Sequence, residues 1–187
     1  MTSFSCLCTY VSIVCSVALG AATLIERYNF SETDAGLLYT MPYIISAILS
    51  PIIGFLSDKF GHRMTTTLAG SFLMIVAHLI SLFTVDCDKC AKSIIPLILL
   101  GIAYTTYAVV LWGAIPYMVE GRALGTAFGI ATTFNNLGTV AAPPFVGYIF
   151  TKFGGNQKGY FAVDLFFVII SMLAFAFNFG VYWIDKK

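Results

Sequence analysis

The spacing of charges limits this fold more than any other feature: they gather in short connections, and between them run long stretches of almost purely apolar sequence. Six such stretches stand at about residues 3–25, 35–56, 65–85, 93–119, 123–150 and 160–184. A bilayer's hydrocarbon core, about 30 Å thick, takes roughly 20 apolar residues per helical crossing. A charge at the centre of a crossing costs about 2.5 kcal/mol or more, so charges belong in the connections. With 59% of residues apolar and 10% charged, against about 25% charged in soluble domains, the chain cannot clothe a water-facing surface. It reads as all-α, a polytopic membrane protein whose residues 1–187 form one domain of six transmembrane helices. The net charge of +1 gives no reason to expect nucleic acid as a partner. Short connections predict that consecutive helices pair as antiparallel hairpins.

The first stretch also resembles a signal peptide, with small residues at Ala18–Ala22. No Lys or Arg precedes it, however, and it is too long for a signal's apolar core, so it is read as a true helix.

An even number of helices puts both termini on one side. Charge does not say which: Lys59, Arg63, Arg122, Lys186 and Lys187 fall on one face, and Arg27, Lys89, Lys92, Lys152 and Lys158 on the other. Asn29-Phe30-Ser31 is an N-glycosylation sequon on the second face, making Asn29 a candidate acceptor. Cys87 and Cys90 lie on that face too, in Asp86-Cys87-Asp88-Lys89-Cys90. A lumenal or extracellular face permits a disulfide between them, and idle thiols are the alternative. Cys6, Cys8 and Cys15 sit in an apolar helix, where cysteine packs as a small hydrophobe.

The exit of the second stretch carries the densest motif, Gly54-Phe55-Leu56-Ser57-Asp58-Lys59-Phe60-Gly61-His62-Arg63. Gly54 allows close helix approach and Gly61 a tight turn. Asp58 can cap or pair, and Lys59 and Arg63 reach headgroup depth. This run resembles the signature loop of the major facilitator superfamily. The resemblance implies a cytosolic loop between the second and third helices of a six-helix half, so that this chain is one half of a major facilitator fold. It also implies that Asp58, Lys59 and Arg63 latch two halves together, with Gly54 and Gly61 shaping the loop.

A second run, Trp112 to Gly129 and on to Asn135-Asn136-Leu137-Gly138, resembles the passage between the fourth and fifth helices of the superfamily's C-terminal half. Gly121, Gly125 and Gly129 recur every four residues, a small-residue face suited to tight helix packing. Pro143-Pro144 are expected to kink the fifth helix, and Pro42 and Pro51 the second. The runs 37–63 and 112–147 are similar to the superfamily's lysosomal dipeptide uniporters. That similarity implies a dipeptide or other small-molecule substrate, a lysosomal membrane, and a glycosylated accessory subunit.

In a facilitator, the first, second, fourth and fifth helices of each half border the substrate path. Those helices here offer Tyr10, Tyr39, Tyr43, Tyr104, Tyr107, Trp112, Asn135 and Asn136. Their hydroxyl and amide groups can hydrogen-bond a peptide backbone, and their rings can hold a cation; interfacial or core packing is the alternative for the aromatics. His78 is the ionisable group at mid-helix and is read as a packing residue. With no carboxylate there, the expectation is facilitated diffusion without a coupling site in this half.

Facilitators place substrate between two six-helix halves. The expected partners are therefore a missing N-terminal half or a second copy of the chain, besides the lipid bilayer; the chain itself is expected to be a fragment. No nucleophile–base pair or metal-ligand cluster stands at membrane depth, so no enzyme activity, metal or cofactor is expected. The rival readings are a non-transporting membrane protein that acts as a binding partner, and a facilitator for a sugar or organic anion.

Overall fold

A computed structural model describes residues 2–84, 89 and 91–185. Six long helices account for most of them: α1 (Thr2–Tyr28), α2 (Glu32–Phe60), α3 (Arg63–Phe83), α4 (Ile95–Met118), α5 (Leu124–Lys152) and α6 (Gln157–Asp185), with single 3₁₀ turns at Ala91–Ser93 and Gly121–Ala123. A helix rises 1.5 Å per residue, so a 29-residue helix such as α2 is about 43 Å long and overreaches a bilayer's hydrocarbon core. Four helical segments are long and apolar enough to cross a membrane: Glu32–Phe60, Arg63–Phe83, Ala91–Met118 and Gln157–Ile184. α1 makes a fifth if its two arms count as one span. α5 is as long as α2, but its threonines, asparagines and prolines lower its apolarity.

Local chemistry explains the helix ends. Ser31 caps α2, its side chain accepting from the Asp34 amide at 3.1 Å, and Glu32 and Asp34 stand at the positive end of the helix dipole. Gly61 closes α2 in the left-handed region (φ 68°), its N–H donating to the Ser57 carbonyl at 3.0 Å. Asn29 follows α1 with φ 54°, a conformation that asparagine tolerates better than most residues.

The prolines do not interrupt their helices: α2 runs unbroken through Pro42 and Pro51, and α5 through Pro143 and Pro144. A bend of 43° lies in α1, between Phe4–Val17 and Leu19–Tyr28. There Ser16 turns its hydroxyl back onto the Ile13 carbonyl at 3.0 Å, and Gly20 follows. Such back-bonding bends helices without any proline.

Packing corrects the hairpin expectation. α3 and α4 do pack as consecutive neighbours, but α2 packs mainly on α4, α3 also on α6, and α1 on α5 and α6. The helix pairs α2–α3 and α4–α5 meet only slightly. Backbone approach decides the partners, because a short loop ties helix ends without choosing which faces touch. A Cβ on Gly101 would stand 2.9 Å from the Pro42 Cα, and one on Gly138 would stand 2.8 Å from Val11 Cγ2. These absent side chains let α4 seat on α2 and α5 on α1.

α1 is the hub. Val11 and Cys15 pack with Ala142, Val146, Val163 and Phe167, while Ile13 and Val17 pack with Met74, Ala77, Leu100 and Ala103. Cys6, Cys8 and Cys15 are all buried. α2 and α5, by contrast, expose Tyr43, Ile44, Ile48, Phe55, Leu137 and Val140, leaving two long helices with little of their surface covered by this chain.

Candidate functional site

The cavity candidates divide into a connected wall and outliers. Tyr10 of α1 meets Tyr104 of α4 edge-on at 6.1 Å, and Tyr43 of α2 meets the same Tyr104 at 6.5 Å. Trp112 donates its indole N–H to the Tyr10 hydroxyl at 2.7 Å and stacks flat on Phe128 of α5, with centroids 6.0 Å apart. Four helices thus contribute to one aromatic surface, whose pairs sit at the centroid spacings that edge and offset arrangements favour. Within it Tyr43 is 44% exposed while Tyr10 is 6% exposed, so Tyr43 stands at the front and Tyr10 behind. Tyr39 is half-buried and packs against the α1–α3–α4 core.

Helical register places the asparagines. At 100° per residue Asn135 lies about 20° round α5 from Phe128, and Asn136 about 80°. Asn135 therefore continues the wall about 10 Å along the helix, its side-chain oxygen accepting from Thr139 at 3.4 Å. Asn136 is exposed on the flank.

Tyr107 departs from the expectation. It is fully buried, its hydroxyl 2.9 Å from Ser5 Oγ, and Ser5 also donates to Asn178. Its ring packs with Cys6 and Tyr10 of α1 and Leu111 of α4, so Tyr107 is shut into the bundle away from any solute. Phe128 is a wall residue that the sequence reading missed; its spacing of seven from Asn135 was the available signal.

The α2–α3 connection gathers the second group. Arg63 donates to Asp58 Oδ1 at 2.6 Å and to the Gly113 carbonyl of α4 at 2.9 Å, and its guanidinium lies 3.9 Å over the Tyr117 ring. A planar guanidinium can serve a carboxylate, a carbonyl and a ring face together, where an ammonium cannot. Lys59 lies 5.8 Å over each of the Phe55 and Phe60 rings. A Cβ on Gly54 would touch Val109 at an ordinary 3.5 Å. Arg63 thus fastens the loop to the end of α4 while Asp58 stays open to its surroundings.

Sequence reasoning missed a cluster at the opposite end. Arg27 pairs with Asp164 at 3.0 Å, the side chains 9% and 13% exposed. Ser81 donates to the other Asp164 oxygen at 3.2 Å, and Arg27 donates to the Thr84 carbonyl at 2.7 Å. Tyr160 donates to Glu26. The signal was Asp164 itself, an acid inside an apolar stretch, which demands a cationic neighbour. Deeper in, His78 is 2% exposed, bonds Ser12 at 2.8 Å and stacks on Phe167, while Ser12 also bonds Ser171 at 2.7 Å.

The remaining expectations have mixed outcomes. A Cβ on Gly121, Gly125 or Gly129 would meet nothing within 4 Å, so no described helix packs on that stripe: α5 seats on α1 through Gly138 and turns the stripe outward. Asn29 is exposed, while the sequon's Ser31 hydroxyl is occupied as the α2 cap. Cys87 and Cys90 lie outside the described residues. Among the described residues no three His, Cys, Asp or Glu gather as a metal site.

The family model of the Major Facilitator Superfamily matches residues 2–187. The lysosomal dipeptide transporter MFSD1 of Mus musculus is 31% identical over 172 residues, 90% of this chain and 35% of the relative. The protein of the same name from Gallus gallus is also 31% identical, over 90% of this chain and 37% of the relative. That from Danio rerio is 30% identical over 90% and 34%. The chain spans about a third of the length of these curated relatives. A helical bundle with membrane-length apolar helices, the aspartate–arginine loop after α2 and a match along nearly the whole chain together establish that this chain belongs to the major facilitator superfamily.

Proposed function

We propose that the chain is the C-terminal six-helix half of a carrier that moves a dipeptide by alternating access, passively and across a lysosomal membrane. The observation that carries this reading is the aromatic wall shared by α1, α2, α4 and α5. Its tyrosine hydroxyls and ring faces suit a ligand with amide groups and an ammonium end. The similarity to lysosomal dipeptide transporters supports the substrate class and the compartment.

A wall is half a cavity. The exposed faces of α2 and α5, with the Gly121, Gly125 and Gly129 stripe, are the surfaces on which a second half would close, whether an N-terminal half or a second copy. Asp58, 72% exposed, would exchange partners across that closure while Arg63 stays anchored on α4. A glycosylated accessory subunit belongs to the same reading, and no chemical conversion of the solute does.

Uptake of a radiolabelled dipeptide into proteoliposomes holding the full-length protein tests the proposal. Tyr43→Ala is expected to raise the half-saturating concentration about tenfold, the effect of roughly 1.4 kcal/mol of lost contact. Saturable dipeptide flux that Tyr43→Ala and Trp112→Ala leave unchanged would sink the proposed site. Flux of a sugar or organic anion in place of dipeptides would replace the substrate.

A further inference from the structure

Between α5 and α6 lies a groove of about 500 Å³, lined by Phe153, Phe161, Leu165 and Ile169 among others, with Lys158 at its mouth. Phe161, Leu165 and Ile169 follow at four-residue intervals, so their side chains stand one above another along α6. All three are exposed, at 51%, 40% and 49%. From Lys158 to Ile169 the helix rises about 16 Å, close to the depth of one bilayer leaflet. The groove is therefore apolar along a leaflet's depth and cationic at one end.

The surrounding charges reinforce that polarity. Lys158 is the second residue of α6, its backbone N–H donating to Asn156 Oδ1 at 3.0 Å, which leaves the exposed ammonium at the positive end of a 29-residue helix. Lys152, closing α5, lies 5.5 Å over the Tyr148 ring and adds a second cation to the same end. Two acids of this end face elsewhere. Tyr160, which binds Glu26, and Asp164, which binds Arg27, lie about 200° and 240° round α6 from Lys158. Among the described residues that line the groove, an occupant thus meets the cation of Lys158 and no carboxylate.

We propose that this groove binds one anionic phospholipid, with an acyl chain against Phe161, Leu165 and Ile169 and its phosphate beside Lys158. A zwitterionic lipid fills the same trough but carries its own ammonium towards Lys158, so headgroup charge sets the preference. The assignment rests on the membrane placement of α5 and α6 and not on what the protein transports.

Native mass spectrometry of the purified full-length protein, equilibrated with phosphatidylglycerol and phosphatidylcholine of identical acyl chains, tests it. The wild type is expected to retain one phosphatidylglycerol in about fivefold preference to phosphatidylcholine, the share of one basic residue near an anionic headgroup. Lys158→Ala, at an exposed position where folding is not at stake, should bring the ratio to about one. Ala162→Trp, which fills the trough, should release both lipids with the gel-filtration profile unchanged. Equal retention of the two lipids by the wild type, or a preference that survives Lys158→Ala, overturns the proposal. So does retention undiminished by Ala162→Trp.

Discussion

The two ends of this bundle each hold an arginine–aspartate pair of similar length, and their surroundings make them different devices. At the α2–α3 end Asp58 and Arg63 stand 2.6 Å apart, five residues apart in the chain, with Asp58 72% exposed. At the other end Arg27 and Asp164 stand 3.0 Å apart, 137 residues apart in the chain, with neither side chain more than 13% exposed. The exposed pair is worth about 0–1 kcal/mol and weakens with salt. The buried pair has lost its water, so each charge depends on the other. One end can change partners cheaply, and the other holds α1, α3 and α6 in fixed register.

The sharpest way to break this comparison is to orphan the buried acid. Arg27→Met is expected to cost about 3–5 kcal/mol, because Asp164 stays buried without its cation. Thermal unfolding in detergent measures it. Adding Asp164→Leu should recover most of the loss, since an apolar pair of similar volume needs no water. A double variant as unstable as the single one would show that the pair acts through packing and not charge.

His78 tests whether the interior between the two ends is neutral scaffold. Its network with Ser12 and Ser171 carries no required charge, so His78→Leu should cost less than Arg27→Met. About 1–3 kcal/mol is expected, because the Ser12 oxygen loses one of its two buried partners and keeps only Ser171. Dipeptide flux per folded molecule should be unchanged. Lost flux with intact folding would place a coupling site in this half and end the passive reading.

Gly61 gives a smaller effect, confined to the exposed end. Its φ of 68° is unfavourable for a residue with a Cβ, and Gly61→Ala should cost about 1–2 kcal/mol. Unfolding of the purified variant measures this; an unchanged midpoint would mean that the loop has freedom to turn another way.

The same contrast shows what was legible beforehand. The helices could be read because lipid demands runs of about 20 apolar residues. Asp58, Gly61 and Arg63 could be read because they act within one turn of chain. The Arg27–Asp164 pair could not, since nothing local says which cation meets an acid 137 residues away. Tyr104 and Tyr107 are separated by a single turn of α4, yet one borders the wall and the other is sealed in against α1. Period alone does not say how closely a neighbouring backbone approaches.

Asp58→Asn is expected to be the mildest change in stability and the most informative about the exposed end. Asparagine keeps the shape and one acceptor oxygen, so Arg63 retains a partner there as well as the Gly113 carbonyl and the Tyr117 ring. The loss should therefore stay within about 1 kcal/mol and shrink further in high salt. If Asp58 serves only to hold Arg63, dipeptide flux should fall no more than stability does. If Asp58 exchanges partners as the two halves close, its charge is needed in one state of the cycle more than in the other. Flux should then fall several-fold while the folded fraction is unchanged, because a residue biases an equilibrium only by its differential interaction with the two states. Asp58→Glu should restore part of that flux. Flux at the wild-type level in Asp58→Asn would reduce this end to a plain turn and leave Arg27–Asp164 as the pair that matters in the half.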